Sequence, residues 1–249
     1  MRFDDYHRTI VGYHGTRLSV ALDIVQRKRG FNISRNRDDW LGHGIYFWEY
    51  APRQALWWAE RRRKRQKWDE PVAILASMIR LGFCFDLLDP YNVKYLKEVH
   101  AEFSRTESEA GRTLPRNANF RKYLDCAVFQ YAYTAIETLE GGQAVDTARA
   151  VYVPTDESKR VWTRSWIADG AHIQVCVRNP ACILGTWLHY AGSSEDVDAE
   201  KIAEVSEDGI QPTDRPGGET AQGDVGGGPH STHGDGGADD SGGSGRGET

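Results

Sequence analysis

The chain has 249 residues, 39% hydrophobic and 11% aromatic, which is enough apolar material for one sizeable core. No apolar run approaches the ~20 residues of a membrane span, and the opening MRFDDYHRTI holds no apolar signal core, so a soluble cytoplasmic protein with no membrane partner is expected. The net charge of −5 hides two halves: residues 1–191 hold 28 basic against 22 acidic side chains, net +6, and residues 192–249 hold 3 against 14, net −11.

From the N-terminus, Thr9 to Tyr13 reads as a short strand that ends at His14-Gly15-Thr16. Leu18, Ala21, Leu22 and Val25 then recur at helical spacing up to Gly30. Residues 31–41 are polar and read as a loop, and Gly42-His43-Gly44 as a turn into the strand Ile45-Tyr46-Phe47. Pro52 suits the first turn of a helix with Ala55, Leu56 and Ala59 on its inner face and a basic run, Arg61 to Lys67, at its end. Val72 to Phe85 is dense in β-prone residues and predicts a buried strand, closed by Asp86 and an Asp89-Pro90 turn. Helices are expected over 91–103 and 118–140, and strands over Ala150–Val153, Ile173–Arg178 and Ile183–His189. Strands outnumber helices without strict alternation, which favours an α+β fold over a doubly wound sheet.

Residues 192–249 hold 15 of the 26 glycines and no aromatic side chain. Such a segment has little apolar surface to offset its ordering entropy, so the chain divides into a folded domain, 1–191, and a Gly/Asp-rich disordered tail, 192–249. The tail reads as a solvated linker, or as an acidic competitor for whatever the basic body attracts. Cys84, Cys126, Cys176 and Cys182 lie in apolar surroundings with no CxxC pair. They read as small buried hydrophobes of a reducing compartment, which excludes a disulfide frame and a zinc site.

Three segments carry candidate chemistry. Tyr13-His14-Gly15-Thr16 places a histidine and a hydroxyl around a glycine whose backbone can approach a ligand closely. Gly42-His43-Gly44-Ile45-Tyr46-Phe47 sets two glycines before an apolar strand bearing a tyrosine, and belongs to neither a GxGxxG nor a GxxxxGK pattern. Trp57, eleven residues after Tyr46, is placed on the next helix, where the two rings either sandwich a flat ligand or are ordinary core aromatics. In the strand from Ile173, His172 and Gln174 share one face, and Val175 and Val177 the other.

Taken together, these segments resemble the ADP-ribosyltransferase superfamily, in the branch that holds diphtheria toxin and the poly(ADP-ribose) polymerases. That branch is marked by His-Gly-Ser/Thr, then Gly-x-Gly-Ile-Tyr-Phe, then an acidic residue or Gln opening a late strand. Here these are His14-Gly15-Thr16, Gly42 to Phe47, and Gln174, with Asn179-Pro180-Ala181 following Gln174 at the polymerases' spacing and Trp57 at that of the second stacking aromatic. The resemblance spans residues 9–190 and implies a split β-sandwich with flanking helices. It implies NAD as substrate, contacted by His14, Gly15, Thr16, Gly44, Tyr46 and Trp57, with no metal. Catalytic roles fall on His14, Tyr46 and Gln174.

Gln174 departs from the usual glutamate. An amide can bond a ribose hydroxyl but carries no charge and takes no proton. Three outcomes stay open: an acceptor that needs no deprotonation, His172 as the base, or NAD binding with little turnover. The activities implied are mono-ADP-ribosyl transfer to a protein or nucleic acid, as in a toxin or phage–host effector with an antitoxin or regulatory partner, or NAD hydrolysis, or a catalytically weak NAD or ADP-ribose binding module. The Arg61–Arg65 run suits phosphates, and equally a solvated helix end favoured by the helix dipole.

The tail's composition makes one measurable claim. Deleting residues 195–249 is expected to leave the melting temperature nearly unchanged, and a fall of more than about 5 °C, on the order of 1–2 kcal/mol, would contradict it.

Overall fold

The computed structural model describes residues 5–118, 121–139 and 142–192, so the expectation of a disordered tail lies almost wholly outside the described residues. Among the described residues six strands and four α-helices form a mixed α+β domain. The order is β1 (Asp5–Arg17), α1 (Leu18–Val25), β2 (Ile45–Glu49), α2 (Pro52–Gln66), β3 (Val72–Asp86), α3 (Pro90–Glu109), α4 (Tyr123–Leu139), β4 (Thr147–Tyr152), β5 (His172–Val177) and β6 (Ile183–Ala191). Among the described residues no helix is long and apolar enough to cross a membrane.

Among the described residues the strands form one six-stranded sheet in the order β1-β2-β5-β4-β3-β6, with β1 also paired to β3, and within it two three-stranded arrays can be traced. β3 is the centre of the first, antiparallel to β1 from Thr9↔Arg80 to Arg17↔Val72 and to β6 from Ala73↔Ala191 to Ile79↔Ile183. In the second, β5 lies between β2, from Ile45↔Val177, and β4, down to Tyr152↔His172. The arrays meet at two short seams. β1 touches β2 only at Gly12↔Glu49 and Tyr13↔Trp48, and β3 runs parallel to β4 from Cys84↔Thr147 to Asp86↔Arg149.

Burial explains why these segments became strands. Ile10, Ile79 and Leu81 of one array cluster with Ile45, Phe47, Val175 and Val177 of the other, so the sheet folds over a shared apolar core. Tyr46, Phe85, Ala150 and Cys176 instead cluster with Phe129, Tyr133 and Ile136 of α4. Helix α1 buries Ala21 beside Ala73 and Leu75 of β3, and α2 buries Ala55, Trp58 and Ala59 with Val72 and Ile74. All four cysteines are buried.

Several boundaries differ from those the sequence predicts. β1 continues through His14-Gly15-Thr16 to Arg17, because β3 is long enough to pair with every one of those residues. β4 begins at Thr147, three residues early, where the buried Arg149 interrupts the apolar pattern. That guanidinium is held by Glu49 at 2.5 and 2.9 Å and by Asp86 at 3.1 Å. Helix α3 outruns its apolar face to Glu109, and Arg105 ties its polar end to Glu102 and Glu109, each at 2.6 Å. Helix α4 starts only at Tyr123, where the Asn117 carboxamide oxygen accepts from the Leu124 N–H at 2.9 Å.

Gly15 is fixed by packing. A Cβ there would stand 2.4 Å from the Ala55 carbonyl oxygen and 2.7 Å from Ala59 Cβ, so α2 lies directly on the β1 backbone. Gly15→Ala is therefore expected to cost about 1–3 kcal/mol through overpacking, read as a lower midpoint in denaturant unfolding. A variant as stable as the parent would show that α2 shifts freely.

Candidate active site

Past Tyr13 the strands β1 and β2 part, and a cavity of about 290 Å3 opens where they do. His14, Thr16 and Arg17 of β1 line one wall, and Gly44, Tyr46 and Trp48 line the other. Val20 and Ile24 of α1, the 29–34 segment, Trp58 and Arg62 of α2, and Trp68 complete it. The cavity thus joins two of the three predicted segments.

His14 spans the split. Its Nδ1–H donates to the Tyr46 carbonyl oxygen at 2.9 Å, which fixes the tautomer and leaves Nε2 as an acceptor. The ring is steadied edge-on by Phe31 at 5.3 Å and tilted against Phe47 at 5.7 Å. Burial lowers its pKa to about 4; the Tyr46 carbonyl opposes that shift and Arg62 adds to it.

Tyr46 reaches the cavity wall, yet its hydroxyl is already engaged: it donates to the Gly42 carbonyl at 2.7 Å and accepts from the Leu41 N–H at 3.0 Å. Burial holds that phenol well above its ordinary pKa. Gly44 lines the cavity and pairs with Ser34 across an isolated bridge, with no room for a Cβ 2.4 Å from Cys176 Sγ. Gly15 is not a lining residue. Trp57 is not one either: it is half-buried beside the α2 cluster under Arg61, and its neighbour Trp58 takes the place at the cavity. The helical period could have found this, since residues 55, 58, 59 and 62 share one face of α2 and residue 57 lies off it.

Gln174 and His172 form a second centre, outside the cavity lining. Gln174 is 1% exposed and pairs in register with Trp48, so it sits one strand away from the cavity wall. Its side-chain oxygen accepts from the Trp40 indole N–H at 2.7 Å, and its amide N–H donates to His172 Nε2 at 3.0 Å. His172 Nδ1–H donates in turn to the Gly170 carbonyl at 2.6 Å, and the ring lies 4.9 Å from Tyr152. Burial lowers the His172 pKa, against the opposing effect of the Gly170 bond. The imidazole is neutral, and its lone pair is taken by Gln174. Sequence reasoning missed Trp40, which no local pattern links to a residue 134 positions away.

Among the described residues no three His, Cys, Asp or Glu side chains are grouped to hold a metal ion. No protein-family model, no curated protein and no solved structure matches this chain.

The His14 shift sets a pH dependence. Between 6.5 and about 4 the unfolded chain takes up the His14 proton and the folded one does not, so this residue's contribution to stability falls as pH drops through that window. His14→Gln removes the effect, and the variant is expected to gain thermal stability relative to the parent as pH is lowered from about 7 towards 4.5. The His14 ring resonances should not titrate above about pH 5. A midpoint near 6.5 would contradict this.

Proposed function

We propose that the protein cleaves the nicotinamide–ribose bond of NAD and transfers ADP-ribose to a protein or nucleic-acid acceptor. The observation that carries this reading is the split between β1 and β2. His14 and Thr16 lie along one side of the opening, Gly44 and Tyr46 along the other, and His14 bridges them. In the family that the sequence resembles, those two segments flank the nicotinamide ribose between the sheets of a split sandwich.

In this reading the nicotinamide end enters the cavity, where His14 Nε2 accepts a ribose hydroxyl and Thr16 and the aromatic wall hold the ring. Trp58 takes the stacking place that residue spacing assigns to Trp57. As the bond breaks, nicotinamide leaves with the electron pair and positive charge develops on the ribose, while an acceptor nucleophile forms the new bond and gives up its proton to His172 or to water. Gln174, oriented by Trp40 and His172 one strand behind the cavity wall, brings no negative charge to the site. His172 reaches a proton only by releasing Gln174, so the catalytic arrangement is one of hydrogen bonds without a carboxylate.

Incubation with labelled NAD tests the reading. Label bound to macromolecule supports transfer, free ADP-ribose with nicotinamide assigns hydrolysis, and intact bound NAD assigns a binding module. Gln174→Glu is expected to leave bond cleavage unchanged or lower it, because a carboxylate keeps the Trp40 bond but asks the buried His172 to carry a proton, and His172→Ala is expected to abolish transfer. A rise in cleavage of about tenfold or more in Gln174→Glu, with His172→Ala unaffected, would instead assign the limit to the missing carboxylate.

A further inference from the structure

Between β4 and β5 the chain makes an excursion whose tip faces solvent. Its arms are joined by the Arg160↔Ala168 bridge and by the Val161 N–H, which donates to the Ile167 carbonyl at 3.2 Å. The Ser165 N–H closes the turn on the Trp162 carbonyl at 3.0 Å, and Arg164 takes a φ of 63° to make the reversal. Ser165 is buried, and its hydroxyl accepts from the Ile167 N–H at 3.0 Å. The result is a small hairpin held by its own hydrogen bonds.

Its outer side is apolar. Trp166 is 95% exposed, Trp162 64%, Ile167 61% and Val161 49%. Single apolar side chains on a surface are ordinary, but four large ones within residues 161–167 form a patch of the kind that marks an interaction site. Residues 159–167 also hold three basic side chains, Lys159, Arg160 and Arg164, and no acidic one; Glu157 and Asp169 lie outside the turn.

The chemistry of the patch selects its partner. Ile167 and Val161 offer no ring for a nucleobase to stack on, so the patch suits an apolar phase better than a nucleic acid. Tryptophan, with an apolar body and one N–H, is favoured where lipid tails meet headgroups. The basic side chains complement an anionic headgroup layer. The N–H groups of Val161, Ser165 and Ile167 are bonded within the hairpin, so entry into that layer leaves none of them without a partner.

We propose that the 159–167 hairpin docks on an anionic lipid surface, with Trp162, Trp166 and Ile167 entering the headgroup layer and Arg164, Arg160 and Lys159 facing its negative charge. Such a contact lies on the bilayer and spans nothing. The expectation of no membrane partner follows from the lack of a long apolar run, and a nine-residue turn creates none. Docking of this kind is independent of the NAD reading.

Co-sedimentation of the full chain with vesicles tests this, using phosphatidylcholine alone and phosphatidylcholine mixed with phosphatidylserine. Trp166→Ser and Arg164→Gln are the variants, and both residues are exposed, so both variants should fold. The parent is expected to bind the mixed vesicles with a blue shift in tryptophan emission, and the neutral ones about tenfold or more weakly. Trp166→Ser should weaken binding to the mixed vesicles about tenfold, and Arg164→Gln about threefold. Binding undiminished by Trp166→Ser assigns the attraction to basic residues elsewhere and overturns the proposal. Equal binding to both kinds of vesicle, or binding to neither, overturns it as well. A single-stranded oligonucleotide bound through Trp166, with no vesicle binding, makes the turn a stacking platform instead.

Discussion

The parting of β1 and β2 is the constraint on which the other features depend. Gly12 brings β1 and β2 together: a Cβ there would lie 2.7 Å from Ile79 Cδ1 and 2.8 Å from Phe47 Cβ, so only a glycine lets the strands close at that point. Past Tyr13 the strands separate, and the His14–Tyr46 bond takes the place of the ladder bonds that would otherwise follow. Helix α2 lies against the outer side of β1 at Gly15, and the rings of Phe31, His14 and Phe47 meet within the opening. The cavity therefore has a rigid floor and walls drawn from several elements. That is the condition under which a binding site holds its shape.

Two charged centres illustrate opposite uses of burial. Arg149 on β4 joins Glu49 at the end of β2 and Asp86 at the end of β3, with every group buried and bonded. Such a cluster adds little net stability over an apolar equivalent, but loss of one partner strands a charge, so it holds the strand ends in one register. At the cavity the arginines stand on indole rings, and no acid lines the space. The first centre is held by ion pairs, and the second by the faces of aromatic rings.

The Trp40–Gln174–His172–Gly170 chain belongs to neither class. Each link is a short neutral hydrogen bond, and together they fix the orientation of a buried amide beside the cavity wall. A carboxylate at Gln174 would accept the Trp40 bond equally well, but would ask His172 to carry a proton that burial disfavours. Glutamine suits the neutral His172 that the surroundings produce, and the arrangement is self-consistent as an uncharged one.

Much of this was legible in the residues. Periodicity and turn chemistry located all six strands and four helices. Alternation in the last β5 segment put His172 and Gln174 on one face, where they bond. The two glycine-bearing motifs do face one cavity. Their ends were less legible: β1 and α3 outrun their local patterns because a long partner strand and i,i+4 ion pairs extend them. The roles of single side chains were least legible. Tyr46 spends its hydroxyl on the Gly42 turn, Gly15 is dictated by α2, and Trp58 replaces Trp57 because helical phase, not distance along the chain, selects the inward face. Trp40, Arg17 and Arg62 acquire meaning only from residues far away in sequence. Local sequence determines which backbone conformation and which face are favoured, since those preferences act over a few residues. Only tertiary packing decides which hydrogen bonds are already satisfied and which charges are left facing a cavity, because both depend on groups brought together from separate strands.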